Sequence, residues 1–415
     1  MLEQNRFLMI GLALWLAPEA ARAQMLSWNE VVERFHNNNP GLLGAELMVH
    51  ENQANEVTAG LRPNPTFTST EDQNNFFSTN PYRPFGAVQW TQSISQLVER
   101  RNKRQLRVDS AHLFTEQSKT DRADLQRTLL FALRDAFIRV LQGKAIVDLA
   151  EENIKYYDRV IAVNRERLKA GDIAKVDLMR TELQRVQFES DLVNARVNLR
   201  TAKIALLALI NEQRSVDSID VDGSFDFKPA TMTLEDLRTI ALQERPDLRS
   251  ALVAIEKAKV DNRLAWANGS TDPTISTDYT RVGSTNTVGV GVSIPLRIFD
   301  RNQGEKARTA IEIRRTESMR AGISANVYRD VDSAFETLKS TITLLIPYRD
   351  QYLKQSEEVR ESVSFAYQKG GASLLDLLDA QKAYRDAQLN YRNLVAAYLS
   401  ASNQLSMAVG REVVP

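Results

Sequence analysis

The sequence is written twice. Residues 27–213 and 233–411 pass through the same order of elements, with matching residues at matching points. Asn39-Pro40-Gly41-Leu42 returns as Arg245-Pro246-Asp247-Leu248, and Asn64-Pro65-Thr66-Phe67 as Asp272-Pro273-Thr274-Ile275. Ser93-Ile94 with Arg101-Asn102 returns 200 positions later as Ser293-Ile294 with Arg301-Asn302. Leu168-Lys169-Ala170-Gly171, then Val176-Asp177-Leu178, returns as Tyr367-Gln368-Lys369-Gly370, then Leu375-Asp376-Leu377. A unit of roughly 200 residues is far longer than a solenoid repeat. It points to one pseudo-symmetric body with two near-equivalent segments, where 415 residues would otherwise suggest two or three domains.

The first residues indicate export. Arg6 precedes an apolar run from Phe7 to Ala17, which ends at Pro18 and the small-residue site Ala21-Arg22-Ala23. Residues 1–23 read as a secretory signal peptide cut before Gln24; the alternative is a short buried N-terminal helix. After it, no stretch approaches the ~18 apolar residues of a membrane helix, so any membrane-embedded part must be made of strands. With no cysteine, disulfides, thiolate metal sites and a lipid-anchored N-terminal cysteine are excluded, which suits an oxidising compartment. The balance of 53 basic and 53 acidic residues leaves no net field for nucleic acid.

Each repeat opens with a short amphipathic helix, 28–38 and 234–244. Pro40 and Pro246 then begin second helices of about 22 residues, in the first turn where proline is tolerated. Both helices end at an Asn-Pro or Asp-Pro step, and hairpins follow at about 65–97 and 273–297. The clearest strand is Val288 to Leu296, aliphatic on one face and Gly, Gly, Ser and Pro on the other. Nine residues of period two is the length of a tilted membrane strand. Its counterpart is 88–94, and the partners are 66–73 and 274–282, with Ile275 and Tyr279 on one face. The loop from Asn74 to Gly86 carries Phe76, Phe77, Tyr82 and Phe85, suited to an interfacial girdle; the other loop is the short Gly283 to Asn286. A lone hairpin cannot cross a bilayer, because its edges would leave backbone groups unpaired in lipid. Four strands per chain cannot close a barrel, but three chains would supply twelve.

Very long helices follow the hairpins. From Asn302 to Gln368 the only proline is Pro347 and the only glycines are Gly304 and Gly322, enough for one helix of roughly 100 Å. The returning segment Leu374–Val409 has a seam at Leu377, Ala380, Tyr384, Ala387, Tyr391, Leu394, Tyr398, Ala401, Leu405 and Ala408, spaced alternately by 3 and 4. That is a coiled-coil pattern. Ile154, Tyr157, Ile161, Asn164 and Leu168 repeat it in the first half.

Signal peptide, doubled helix–hairpin–helix order and doubled Gly-x5-Asp-Leu turn together resemble the TolC-like outer-membrane efflux proteins over essentially the whole mature chain. The resemblance implies a mainly α fold with a small membrane β part. It divides the chain into repeats 24–213 and 233–415, with 214–232 as an equatorial linker. Three chains would form a homotrimer with a twelve-stranded barrel in outer-membrane lipid and a periplasmic coiled-coil α-barrel. A periplasmic adaptor and an inner-membrane transporter would dock at its closed end, where Gly171 and Gly370 mark the helix-turn tips. Asp376 and Asp379 stand where relatives line the entrance; in a trimer they would form two rings that attract cations and favour protonation of some members. Read alone, they are also ordinary first-turn acids favoured by the helix dipole. Asp177 and Tyr367 match positions that hold the entrance shut. Ala372 departs from the pattern, where an arginine completes the lock, so closure here would rest on the coiled coil and Tyr367.

The remaining clusters give weaker signals. Asp217, Asp220, Asp222 and Gly223 suggest a calcium loop but lack the closing glutamate, so a solvated linker is expected. His36, His50 and His112 have no ligand spacing and read as solvated surface. Arg100, Arg101, Lys103, Arg104 and Arg107 follow a strand, echoed by Arg297, Arg301, Lys306 and Arg308. They read either as an anchor at the periplasmic membrane surface or as a plain solvated helix start. No nucleophile–base pair, metal motif or complete phosphate loop is present, so no enzyme, cofactor or metal is expected. The expected function is a passive exit duct for small molecules or metal ions in a tripartite efflux system. Its rivals are a protein-secretion conduit with an ATP-driven exporter and a non-conducting coiled-coil tether.

Overall fold

The computed structural model describes residues 24–73, 77, 88–228 and 232–413. The expected signal peptide lies outside the described residues, as do Phe76, Tyr82 and Phe85 of the aromatic loop. Phe77 is described and is 94% exposed.

The element order runs β1 (Gln24–Ser27), α1 (Trp28–Asn38), α2 (Pro40–Gly60), β2 (Thr66–Asp72), β3 (Gln89–Leu97), α3 (Lys103–Ala170) and α4 (Lys175–Leu209). After β4 (Ile219–Asp222) the order recurs as α5 (Leu234–Glu244), α6 (Pro246–Asn268), β5 (Thr274–Val282), β6 (Thr285–Ser293), α7 (Gln303–Pro347), α8 (Leu353–Gln368) and α9 (Leu374–Val409). Helix α2 starts where proline pre-sets the first turn, and the Asn39 side chain accepts from the Gly41 and Leu42 amides. Helix α3 alone has 68 residues, about 100 Å of rise.

The second long helix is not the single expected rod. A π-helical turn, Tyr348–Tyr352, separates α7 from α8 immediately after Pro347. Proline offers no N–H to the carbonyl four residues back, and the widened turn that follows it carries the helix on into α8.

The four long strands form one antiparallel sheet in the order β2-β3-β5-β6. Strand β6 starts and ends earlier than its sequence suggests. It begins at Thr285 after a two-residue turn in which Gly283 has φ +57°, and it stops before Pro295, which cannot donate to a ladder. The registers Phe67↔Ile94, Ile94↔Thr277 and Thr277↔Val290 put Phe67, Trp90, Ile94, Ile275, Tyr279, Val288, Val290 and Val292 on one face, all exposed. The other face carries Thr68, Thr91, Ser93, Ser276, Asp278, Gly289 and Gly291. A Cβ on Gly291 would come within 2.6 Å of the Ser276 hydroxyl, so a larger residue there requires that hydroxyl to rotate away.

Two compact units divide the chain, and each draws on both repeats: Met1–Asn38, Ala136–Asp226 and Val359–Arg392 in one, the remaining segments in the other. In the first, β1 pairs in parallel with β4, burying Leu26, Ile219 and Val221. This pairing was not expected: it makes 219–222 a strand within the segment read as linker, while Asp217 and Asp222 stay exposed. Asp220 lies in β4, paired with Lys144 at 2.8 Å and Lys203 at 3.2 Å.

The second unit is fastened at Arg245, which is 4% exposed. Its guanidinium contacts Asp247 at 2.6 Å and Asp330 at 3.0 Å, and donates to the Ala408 carbonyl at 3.3 Å. Burial pushes both carboxyls upward, but Arg245, joined by Arg329 at Asp330, outweighs it and holds both below the usual range. Arg245→Leu removes the guanidinium bound to Asp247 and leaves Asp330 with Arg329 alone, and is expected to cost about 3 kcal/mol in urea unfolding. Because both folded pKa values are depressed, the wild-type contribution is complete above the ordinary carboxylate pKa of about 4 and disappears as pH falls through the lower folded values. A wild-type stability that instead declined between pH 8 and 5 by this route would contradict the assignment.

Candidate functional site

Both helical hairpins of the first unit turn in the same way. Gly171 and Gly370 sit at φ +80° and +78°. The Asp172 amide bonds back to the Arg167 carbonyl and the Gly171 amide to Leu168; the Gly371 amide bonds to Ala366 and the Gly370 amide to Tyr367. This double closure satisfies the last carbonyls of α3 and α8 and requires a residue that tolerates positive φ. The turns then diverge. At α9, Ser373 and Asp376 cap reciprocally: the carboxylate accepts from the Ser373 amide at 2.9 Å and hydroxyl at 2.7 Å, and the Asp376 amide donates back. At α4 the corresponding cap residue is Ala174, with no side-chain bond.

Asp376 and Asp379 are exposed on one side of α9, while Leu374, Leu377 and Ala380 are buried on the other. The bonds from Ser373 hold Asp376 below its usual pKa. Within one chain this is opposite to the effect expected of crowded acids.

Tyr367 is 5% exposed and packs with Leu374, Leu377, Val160, Val363 and Ala372. Ala372, where the family pattern has an arginine, joins this apolar cluster. The Tyr367 hydroxyl donates to Asn164 Oδ1 at 2.8 Å, and Asn164 Nδ2 donates to the Thr181 hydroxyl at 3.1 Å. The Thr181 hydroxyl in turn donates to the Asp177 carbonyl at 2.9 Å. Asp177 thus enters the network through its backbone. Arg167 lies 4.8 Å over the Tyr367 ring and donates to its carbonyl at 3.0 Å. Burial raises the Tyr367 pKa; Arg167 and Asn164 oppose this, and the negative charge of Asp177 adds to it.

Similar polar contacts continue away from the turns. Gln381 donates to Asn153 at 3.0 Å, both side chains buried, and Gln381 Oε1 has no partner. The Arg360 guanidinium stacks 3.7 Å from the Tyr384 ring centre, and Arg385 reaches Asp191 at 3.4 Å over the Phe188 ring. Within each hairpin the seam is mainly apolar: Tyr157 against Phe188 in one, Leu374 and Leu377 in the other. Between the hairpins, Val160 of α3 adds an apolar contact to the Tyr367 cluster, beside the hydrogen bonds and ion pairs named above. Asn164 stood in the sequence seam, but its role was not read from it. Arg167, Thr181, Asn153 and Gln381 were missed, and a polar residue at a seam position was the available signal. The three histidines are exposed, as expected.

Tyr367→Phe strands the buried Asn164 acceptor, at a cost of about 1–2 kcal/mol. Amide exchange protection over 160–168 and 363–368 is expected to fall roughly 5- to 30-fold. Adding Asn164→Leu removes the stranded group and is expected to restore much of it; equal loss in single and double variants would show that the bond carries no weight.

A lipid-facing strand set with two unpaired edges, joined to helical hairpins of this length, defines an outer-membrane channel protein. The chain belongs to the outer membrane efflux protein family, whose profile matches residues 31–212 and 237–411. It is 25% identical to the cobalt-zinc-cadmium resistance protein CzcC of Cupriavidus metallidurans, covering 98% of this chain and 99% of that protein. It is 22% identical to the pyoverdine export outer membrane protein OpmQ of Pseudomonas putida, covering 95% and 91%. Among solved structures it resembles the outer membrane protein VceC of Vibrio cholerae, with TM-score 0.77, 17% identity and coverage of 93% and 96%. CusC gives the same TM-score and identity over 92% of each chain. The fold is that of outer-membrane channels, the family is one of channels rather than enzymes, and the chain is an efflux channel of the outer membrane.

Proposed function

We propose that three copies form the exit duct of a tripartite system that receives metal ions from an inner-membrane transporter through a periplasmic adaptor. The observation that carries the assembly is the sheet, whose aliphatic face and unpaired β2 and β6 edges call for lipid and for neighbouring strands. Metal cargo is supported by a near-full-length relative named for cobalt, zinc and cadmium resistance. The duct supplies no energy; the transporter does.

The entrance lies at the paired turns. Asp376, held ionised by Ser373, and Asp379 form two acidic rings in the trimer, and cations concentrate there before passage. Tyr367, Asn164 and Arg167 hold the hairpins together in the closed state, and Asp177 adds its charge beside them. Opening separates the polar interface between hairpins while the apolar seams inside them stay intact. Gly171 and Gly370 present the exposed tips to the adaptor.

The purified protein is expected to run as a heat-sensitive trimer and to conduct in planar bilayers; a soluble periplasmic monomer would sink the duct. Asp376→Ala with Asp379→Ala is expected to weaken block by multivalent cations about tenfold or more, as loss of a ring of close charges should. Unchanged block would remove both residues from the entrance. In-cell crosslinking from Lys369 is expected to capture an adaptor with a proton-driven pump; an ATP-driven exporter in its place would make this a secretion conduit.

A further inference from the structure

The start of α3 holds a groove of about 750 Å³ that the channel activity does not use. It lies where the chain passes between sheet and helices, between Arg62–Pro65 and Gln96–Gln105. Three of its lining residues, Arg62, Arg101 and Arg104, make no side-chain hydrogen bond or ion pair among the described residues. Their basic neighbours are engaged: Lys103 contacts Asp272 at 2.6 Å, and Arg107 holds Glu99, the acid lining the groove. Three arginines therefore line a common concavity whose one lining acid, Glu99, is already paired with Arg107.

The backbone adds a second observation. Arg101 and Asn102 both adopt left-handed conformations, with φ +58° and +56°. An arginine there is uncommon, since its Cβ crowds the backbone, and such positions persist where surrounding structure imposes them. At the matching pair of the second repeat Asn302 takes this conformation and Arg301 does not. The repeat also lacks the basic set: Arg62 corresponds to Ser270 and Arg104 to Gly304, leaving only Arg301 opposite Arg101. Two of the three arginines thus have no basic counterpart in the second repeat.

Apolar surface adjoins it. Phe67 and Ile94 are cross-strand partners on the lipid-facing side, 63% and 58% exposed, and Gln96 on that same alternation lines the groove. Leu61 and Val98, at its margins, are exposed as well. Guanidiniums beside an outward aliphatic strip at the membrane boundary match an amphiphile with an anionic head.

We propose that this groove binds the phosphate of an anionic phospholipid in the periplasmic leaflet, with its acyl chains along Phe67 and Ile94. The site fixes the depth of the first-repeat hairpin and seats one lipid per chain. It does not depend on cargo, pump or the gate, so it can fail while the efflux reading stands.

The test is lipid-resolved native mass spectrometry of the intact protein from micelles holding phosphatidylglycerol and phosphatidylethanolamine in equal amounts. Preferential retention of phosphatidylglycerol is expected. Combining Arg62→Gln, Arg101→Gln and Arg104→Gln is expected to lower that preference about tenfold or more, and the three lysine replacements to keep most of it. Arg301→Gln, Arg308→Gln and Arg314→Gln together, equal in charge change, should leave it intact. The proposal is overturned by equal retention of both lipids, by an equal effect of the two glutamine triples, or by a first-repeat triple that assembles and binds like wild type. Displacement of the lipid by inorganic phosphate alone would also overturn it, making the groove a site for the free anion.

Discussion

A four-stranded sheet with one aliphatic face and two unpaired edges cannot be satisfied by the chain that carries it. Water is a poor neighbour for Val288, Val290, Val292, Phe67 and Ile94, all exposed on that face. Lipid accepts the face but not the edges, where each unpaired backbone group costs several kcal/mol in hydrocarbon. Both demands are met only when strands of several copies close on one another. The association proposed above would meet both demands at once. The glycines and hydroxyls of the other face leave an aqueous lumen open.

The helical end poses the opposite requirement, because a duct closed at rest must also open. Apolar seams of the kind formed by Tyr157 with Phe188, or Leu374 with Leu377, lose a hydrophobic contribution in every layer when parted. The contacts between hairpins are cheaper to exchange. Tyr367 with Asn164, Gln381 with Asn153 and Arg385 with Asp191 each trade a protein partner for water at a net ~1 kcal/mol. An interface made of such contacts can hold a closed state and still yield to an adaptor, while the hairpins move as stiff bodies. The partnerless Gln381 Oε1 weakens one layer further.

The fold was legible where backbone rules act locally. Pro40 and Pro246 fixed helix starts, Gly171 and Gly370 the turns, and strict alternation the lipid face. What escaped depended on partners distant in sequence. The β1–β4 pairing joins segments almost 200 residues apart, each only four residues long, too short for a periodic signal. The π-helical turn was marked by Pro347, yet a proline alone does not say whether a helix bends, breaks or widens. At the site, Asp376 and Tyr367 were found by resemblance, whereas Asn164 and Arg167 matter only because α8 lies beside α3. A seam pattern names which side chains point inward, not which polar one meets which.

Duplication explains both the symmetry and its exceptions. The two halves share turns, starts and strand registers because backbone geometry tolerates few solutions there. They part at positions where a side chain does chemistry: Ala174 against Ser373 at the caps, Asn39 against Arg245 at the second helices, Arg104 against Gly304 below the sheet. A Ser–Asp cap at α9 ties its carboxylate in place; the same fold with alanine at α4 leaves Asp177 clear of a capping duty and close enough to act on Tyr367. Asn39 caps a helix with its own side chain, whereas Arg245 gives up that cap and fastens two acids and a carbonyl instead. Each divergence turns one member of a structurally equivalent pair to a separate task.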